Sequence, residues 1–501
     1  MELNQIKLRS MQKSINHTVV IMIKNLQIKK VSMELFLLLF FLMPKASAEN
    51  LITYPAPEGY SKSPSYTVTV NGKPSPVYDA RINDPDNCGY TYFDFEGTVH
   101  VIVTVSAGFE SVKIRPQSAG IKAKVKGNKI EFDMTSPIKL CLELNGKVSY
   151  PLFIFANPLE INPPKSTDRG VRYFGPGFHD AGKIEIKSNE TVYIAGGAVV
   201  KGYFTAANAT NIKILGRGIM DAHENNTTMI SMRDCKNILV EGILMIDQPT
   251  YRWTTTYTSC DSALVKNIKI IAGDNVSNDG IGIVSSQKFT IDDCFVKCYD
   301  DCVVIKALGN TRRDCRDILI KNCLLWNIQA YAVQIGAELL CSEITDVLVK
   351  NCDFIHPNHT EKDPGEIYYY YCGSIGILNG DSCDVHNIRY EDIRIEDPTA
   401  KLISLKIMKT EWNKDKGFGR IHDIYFKNIK VTDGNPAPSE IISTGLDDFY
   451  NSTKVKPGQL IENVTFENLI ILDKTIMSVQ EGGFIVYPSA VNLKFIKYNN
   501  Y

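Results

Sequence analysis

Three acids have the residue types and spacing for acid/base chemistry: Asp279 in Ser277-Asn278-Asp279-Gly280, and the pair Asp300-Asp301 in Tyr299-Asp300-Asp301-Cys302. Short apolar pieces around them recur every 20 to 30 residues, so the 21-residue offset from Asp279 to Asp300 corresponds to one turn of a stacked coil. Neighbouring coils lie roughly 4.8 Å apart, which would bring Asp279 beside the pair. Carboxylates that close repel one another, so one keeps a proton while another stays ionised, as acid/base hydrolysis of a glycosidic bond requires. Adjacent residues of a regular strand face opposite ways, so Asp300 and Asp301 share a cleft only if the backbone bends between them, as at a coil corner. Turn capping is the competing use of an Asp-Asp pair, and Asp292-Asp293, eight residues earlier, fits that use.

The elements that must position these acids are visible as a repeat of the type x-I-x-I-x-x-(N/D)-(C/I/G), strand-sized apolar pieces that end in Asn or Asp. Examples are Asn211-Ile212-Lys213-Ile214, Asn237-Ile238-Leu239-Val240, Asn267-Ile268-Lys269-Ile270, Lys288-Phe289-Thr290-Ile291, Asp317-Ile318-Leu319-Ile320 and Asp346-Val347-Leu348-Val349, with further units at Asn387, Asp423 and Asn463. Spacings of 26, 30, 21, 29 and 29 residues, then 36 to 41, exclude a fixed-length helical repeat. They predict an all-β chain whose larger part, 165–501, is a right-handed parallel β-helix with variable loops on one face.

Before it, residues 49–160 alternate in the manner of Tyr66-Thr67-Val68-Thr69-Val70 and Val99 to Val105, punctuated by Asn71-Gly72 and Asn145-Gly146. That pattern predicts a small antiparallel β-sandwich, joined to the solenoid through the linker around Pro163-Pro164. Residues 1–48 read as a signal peptide: Lys24, Lys29 and Lys30 precede the apolar run 35–43, and Ala46-Ser47-Ala48 offers a cleavage site after Ala48, with Met33 as an alternative start. A secreted or periplasmic protein follows, detached from the membrane once cleaved.

Without that leader the net charge is about −6, a balance that recruits neither nucleic acid nor an anionic membrane. Of 13 cysteines, Cys235, Cys260, Cys294, Cys323 and Cys352 fall at similar places in the repeat and read as small apolar members of an internal stack. One or two disulfides among Cys298, Cys302, Cys315 and Cys341 fit an exported chain. No His/Cys cluster has zinc spacing, so neither a metal nor a cofactor is expected.

The blocks Asn278-Asp279-Gly280 and Asp300-Asp301-Cys302-Val303-Val304-Ile305 resemble the N-T-D-G and D-D-C motifs of the polygalacturonase family, glycoside hydrolase family 28. The likeness is close over 270–336 and loose over 171–468. A sandwich ahead of a β-helix is also similar to the dextranase and isopullulanase family. The resemblance implies an inverting hydrolase of an α-linked, pectic glycan, in which Asp300 protonates the leaving oxygen while Asp279 and Asp301 hold and activate water. Two departures stand out. Tyr331, in Ala330-Tyr331-Ala332, takes the place of the His of the family's G-H-G motif, and the family's R-I-K-T becomes Lys406-Ile407-Met408-Lys409-Thr410. The family uses that Arg and Lys to hold a uronate, so Lys406 or Lys409 would have to take over.

Further candidates for binding a polysaccharide or oligosaccharide are Asn278 beside the first acid, Trp253 with Tyr251 and Arg252 as a stacking loop, Lys306 as a cation on the acid-bearing coil, and Gln334 and Glu338 for sugar hydroxyls. His356, His359, Asn379 and Asp381 lie in later loops, and Tyr368 to Tyr371 form an aromatic run. A monomeric enzyme is expected. The rival readings are a dextranase-like hydrolase of a neutral α-glucan, a polysaccharide lyase whose acids would bind Ca²⁺, and a non-catalytic glycan-binding β-helix.

Overall fold

The computed structural model describes residues 50–497 apart from 56, 81–86, 223–226, 248–251, 274–276, 310–311, 360–371 and 444–459. The leader, Tyr251 and the run Tyr368 to Tyr371 lie outside the described residues.

From Val171–Phe174 to Ala490–Ile496 the chain forms a continuous 30-strand ladder in which each coil pairs in parallel with the next, a right-handed parallel β-helix. The repeated Asn and Asp have a local cause. Asn211, Asn237, Asn267, Asp317, Asp346, Asn387, Asp423 and Asn463 all adopt φ between 51° and 58°, the left-handed region that Asn and Asp tolerate best among residues with a side chain. Each such residue turns the chain and lets the following Ile or Val point inward. Outside, their amides stack from coil to coil: Asn237 donates to Asn211 at 3.1 Å and Asn211 to Asn189 at 2.8 Å.

The pairing corrects one unit of the repeat. Ile238 pairs with Ala263, and Ala263 with Phe289, so the coil between Asn237 and Lys288 opens at Ser262, also at φ 62°, and not at Asn267. Asn267 opens the next face, where Lys269 pairs with Phe295. The irregular 30- and 21-residue steps thereby become even ones of 25 and 26.

The interior is apolar throughout, with Cys235, Cys260, Cys294, Cys323 and Cys352 buried in it. Towards the C-terminus it becomes a ring stack, Tyr390 to Phe426 to Phe466 at centroid spacings of 5.1 and 5.0 Å. All 13 cysteines are free thiols, which corrects the expectation of disulfides. Cys298 and Cys302 have sulfurs 3.7 Å apart, whereas Cys341 meets Cys383 at 3.4 Å and Cys315 lies against the Lys306 carbonyl.

The strands from Leu51–Thr53 to Leu152–Asn157 make two facing sheets of six and five strands. Tyr66–Val70 and Val99–Val105 alternate buried and open positions, as strands covered on one face do. Cys88–Phe95 and Leu152–Asn157 are buried at every position, and they pair in parallel, the one departure from an antiparallel sandwich among the described strands. The second covered face is explained by docking. Tyr90, Phe153 and Phe155 pack on Ile271, Phe295 and Trp326 of the β-helix, with Phe153 and Phe295 rings 4.8 Å apart. Charges pin the same junction: the buried pairs Arg217 Nε to Asp94 at 2.8 Å and Arg115 to Glu396 at 2.6 Å, and the buried Lys139 to the partly exposed Asp293 at 2.6 Å. Asp293 is thus structural.

Candidate active site

Strands Ile281–Val284, Val303–Ala307, Tyr331–Leu339, Gly373–Asn379 and Lys401–Ile407 are successive rungs of one wall. Ile281 pairs with Val303, so by register Asp279 lies beside Asp301. The Gly280 N–H donates to the Asp301 carbonyl at 2.9 Å, and the Asp300 N–H to the Asn278 carbonyl at 3.1 Å. Gly280 is needed here, since a Cβ would stand 2.6 Å from the Cys302 carbonyl oxygen. Strand Phe295–Cys298 ends before the pair and Val303–Ala307 begins after it, so Asp300 and Asp301 occupy a corner.

All three acids line one cleft of about 220 Å³, together with Trp253, Ser277, Lys306, Tyr331, Gln334, Glu338 and Trp412. Asp279 and Asp301 are 2% and 6% exposed, and Asp300 is the more open. Burial and then the charge of Asp300 push the Asp279 and Asp301 carboxyls well above the usual range. Burial raises Asp300 as well, but Lys306 and two backbone donors oppose it: Ser277 N–H at 3.0 Å and Asp301 N–H at 3.0 Å. Asp301 itself accepts from the Tyr331 N–H at 3.0 Å.

Lys306 is the cation of this cluster. Its Nζ lies 3.1 Å from Glu338 and 4.9 Å above the Trp253 ring. Burial alone would lower its pKa, yet the facing Asp279, Glu338, Asp301 and Asp300 outweigh burial and raise it. Trp253 is seated against Gly282, where a Cβ would come within 2.5 Å of the indole. Gln334 is 3% exposed and leaves its side-chain oxygen without a protein partner, and the Tyr331 ring packs close to Gly373 and Gly376.

Other sequence candidates stand elsewhere. Asn278 is fully buried behind the wall, donating to the Arg252 carbonyl and Thr254. Lys406 is 2% exposed and paired with Glu440 at 2.8 Å. Lys409 donates to the carbonyls of Gly380, Asp415 and Gly417. Asn379 is fully buried and donates to the Cys383 and Arg420 carbonyls. His356 is 1% exposed against Glu143 of the sandwich, and His359 meets Asp397. In each case at least one polar atom of the side chain is engaged by a partner outside the cleft. Asp381 likewise accepts the Lys414 and Asp415 N–H groups. With Lys409 it holds the loop that carries Trp412 to the cleft, a residue sequence reasoning missed because no repeat unit or motif contains it. Ser277 was missed too, since its backbone N–H does the work.

Comparison with known proteins gives a consistent picture. Residues 179–357 match the family model described as glycosyl hydrolases family 28, a stretch that contains all three acids and bears out the resemblance read from their motifs. The chain is 25% identical over 261 residues to a polygalacturonase of Juniperus ashei, covering 47% of this chain and 48% of that protein. A polygalacturonase of Chamaecyparis obtusa is 24% identical over 134 residues, 23% of this chain and 26% of that one. The chain thus spans about half the length, or less, of these curated relatives. Among solved structures, Dex49A from Penicillium minioluteum superposes with a TM-score of 0.68 at 15% identity, over 91% of this chain and 98% of that one. The Yersinia enterocolitica family 28 exopolygalacturonase gives 0.50 at 12% identity, over 91% and 96%. These likenesses carry the fold.

Proposed function

We propose that the protein is an exported glycoside hydrolase that cleaves an α-linked glycan with inversion by a single displacement. One observation carries this reading: Asp279, Asp300 and Asp301 line one cleft from neighbouring rungs of the wall. Asp300, the most open of the three, is the proposed general acid and protonates the leaving oxygen. Asp279 and Asp301, side by side on adjacent coils, orient and deprotonate the attacking water. For that cycle Asp300 must hold a proton when substrate is bound. A glycan that shuts the cleft to solvent withdraws hydration from the Asp300 carboxylate and drives it toward the neutral form. Trp253 and Trp412 offer flat apolar faces for sugar rings, and Gln334 an acceptor for a hydroxyl. The polygalacturonase relatives support a pectic substrate.

A second reading, a neutral α-glycan, is favoured by the cations. Lys406 is held by Glu440 and Lys409 by backbone carbonyls, while Lys306, the one cationic residue among the described lining, is paired with Glu338 amid three further acids. A uronate at the cleavage point would meet net negative charge. Release of reducing sugar from polygalacturonan, rhamnogalacturonan and dextran separates the two, and NMR of the first-formed anomer reports inversion or retention. If the mature protein releases sugar from none of these, or if Asp300→Asn is as active as wild type, the hydrolase reading fails.

A further inference from the structure

Away from the acidic cleft, where sandwich and solenoid meet, three ligand-type side chains converge. After strand Asp353–Ile355 the chain turns through His356 at φ 51° and Asn358 at φ 61°. The turn closes with the His359 N–H on the His356 carbonyl at 3.0 Å, which brings the two imidazoles to a centroid distance of 5.7 Å. Asp397 arrives from the neighbouring coil, because Ile355 pairs with Glu396. Its Oδ2 lies 2.8 Å from His356 Nδ1 and 2.7 Å from His359 Nδ1. The two nitrogens and the oxygen therefore all lie within 4.8 Å of one another.

Three features of the surroundings ask for a cation there. His356 Nε2 lies 2.6 Å from Glu143 Oε1, so both ring nitrogens face carboxylate oxygens. A neutral imidazole has one N–H and a carboxylate only accepts, so one of the two contacts holds a second positive charge, either an imidazolium proton or a bound cation. Imidazoles that ligate a metal through one nitrogen commonly hand the other N–H to a carboxylate, the place Glu143 occupies. Second, the contact network holds four carboxylates, Glu143, Glu396, Asp397 and Asp433, against two fixed cations, Arg115 and Lys113. The excess of two negative charges is one that a dication, or protons on both His356 and His359, would neutralise. Third, His356 is 1% exposed, whereas Asp397 and His359 are 24% and 31% exposed, so the convergence point opens to solvent on one side.

We infer that His356 Nδ1, His359 Nδ1 and Asp397 Oδ2 form a binding site for a divalent transition-metal cation of the Zn²⁺ type. Two imidazole nitrogens with one carboxylate suit zinc and its first-row neighbours, and disfavour Ca²⁺ and Mg²⁺, which take oxygen ligands. The bound ion fixes the 356–359 turn and, through His356 and Glu143, ties the sandwich to the solenoid. No step of glycan cleavage passes through it.

The test is a titration of Zn²⁺ into the full mature protein after chelator treatment and dialysis, read by calorimetry and thermal unfolding, with His359→Gln and Asp397→Asn beside wild type. His359 is a third exposed, so its variant keeps the fold, as circular dichroism checks. Wild type is expected to bind one equivalent with a rise in Tm, and Co²⁺ in place of Zn²⁺ to give visible absorption bands. Each variant should lose the Tm rise and the bands, with affinity lower by about tenfold or more. Absence of saturable binding by wild type, or equal affinity and equal Tm rise in His359→Gln, overturns the site.

Discussion

Asp279 and Asp301 stand beside each other on neighbouring coils, joined through the Gly280 N–H that donates to the Asp301 carbonyl at 2.9 Å. Both are almost fully buried, and both face Lys306, which lies 3.1 Å from Glu338. Asp300, one residue along the corner, is held by two N–H groups and is more open. The cluster thus contains one buried carboxylate pair and one presented acid.

Replacing any of the three acids by Asn is predicted to lower kcat by about 10²–10⁴ with little change in KM. The roles separate on an aryl glycoside whose leaving group needs no protonation. Asp300→Asn should recover most of its rate on it, while Asp279→Asn and Asp301→Asn should not. The reverse pattern would move the acid to the buried pair.

Stability should change in the opposite sense from activity. Burial and Asp300 raise the folded-state pKa of Asp279 above its unfolded value of about 3.9, so the folded protein binds the proton more tightly. Above that unfolded value, stability falls as pH rises, until the raised folded value is passed. Asp279→Asn removes this loss and should stabilise the fold at pH 7 relative to wild type. The gain should fade towards pH 4 in denaturant titrations. A variant less stable than wild type at pH 7 would contradict this.

Lys306→Met takes the cation from among four carboxylates. The already raised Asp279, Asp300 and Asp301 should rise further, so the acidic limb of the kcat/KM profile is expected to move up by about one pH unit or more. An unmoved limb would mean that Lys306 serves only to pack against Trp253.

At the junction, Arg217→Met leaves Asp94, fully buried, without the guanidinium 2.8 Å away. Removing one partner of such a pair costs about 3–5 kcal/mol, and adding Asp94→Asn should recover part of it. Urea unfolding of the single and double variants measures both.

What the sequence determined alone was what local chemistry encodes. Asn and Asp at repeated positions mark left-handed corners, inward Ile and Val follow them, and one-coil spacing links Asp279 to the Asp300-Asp301 pair, so fold class and acidic trio were legible. Position along the chain carried no such information for polar side chains in loops. Asn267 resembles a repeat opening but sits on the next face, because only pairing between coils sets register. His356, Asn379, Lys406 and Lys409 read as cleft groups, yet each finds its partner in a segment distant in sequence or in a backbone carbonyl. The same holds for the convergence of His356 and His359 on Asp397, 38 residues beyond the second histidine. A short polar motif fixes which atoms can bond, and the packing of coil on coil and of sandwich on solenoid decides which atoms they meet.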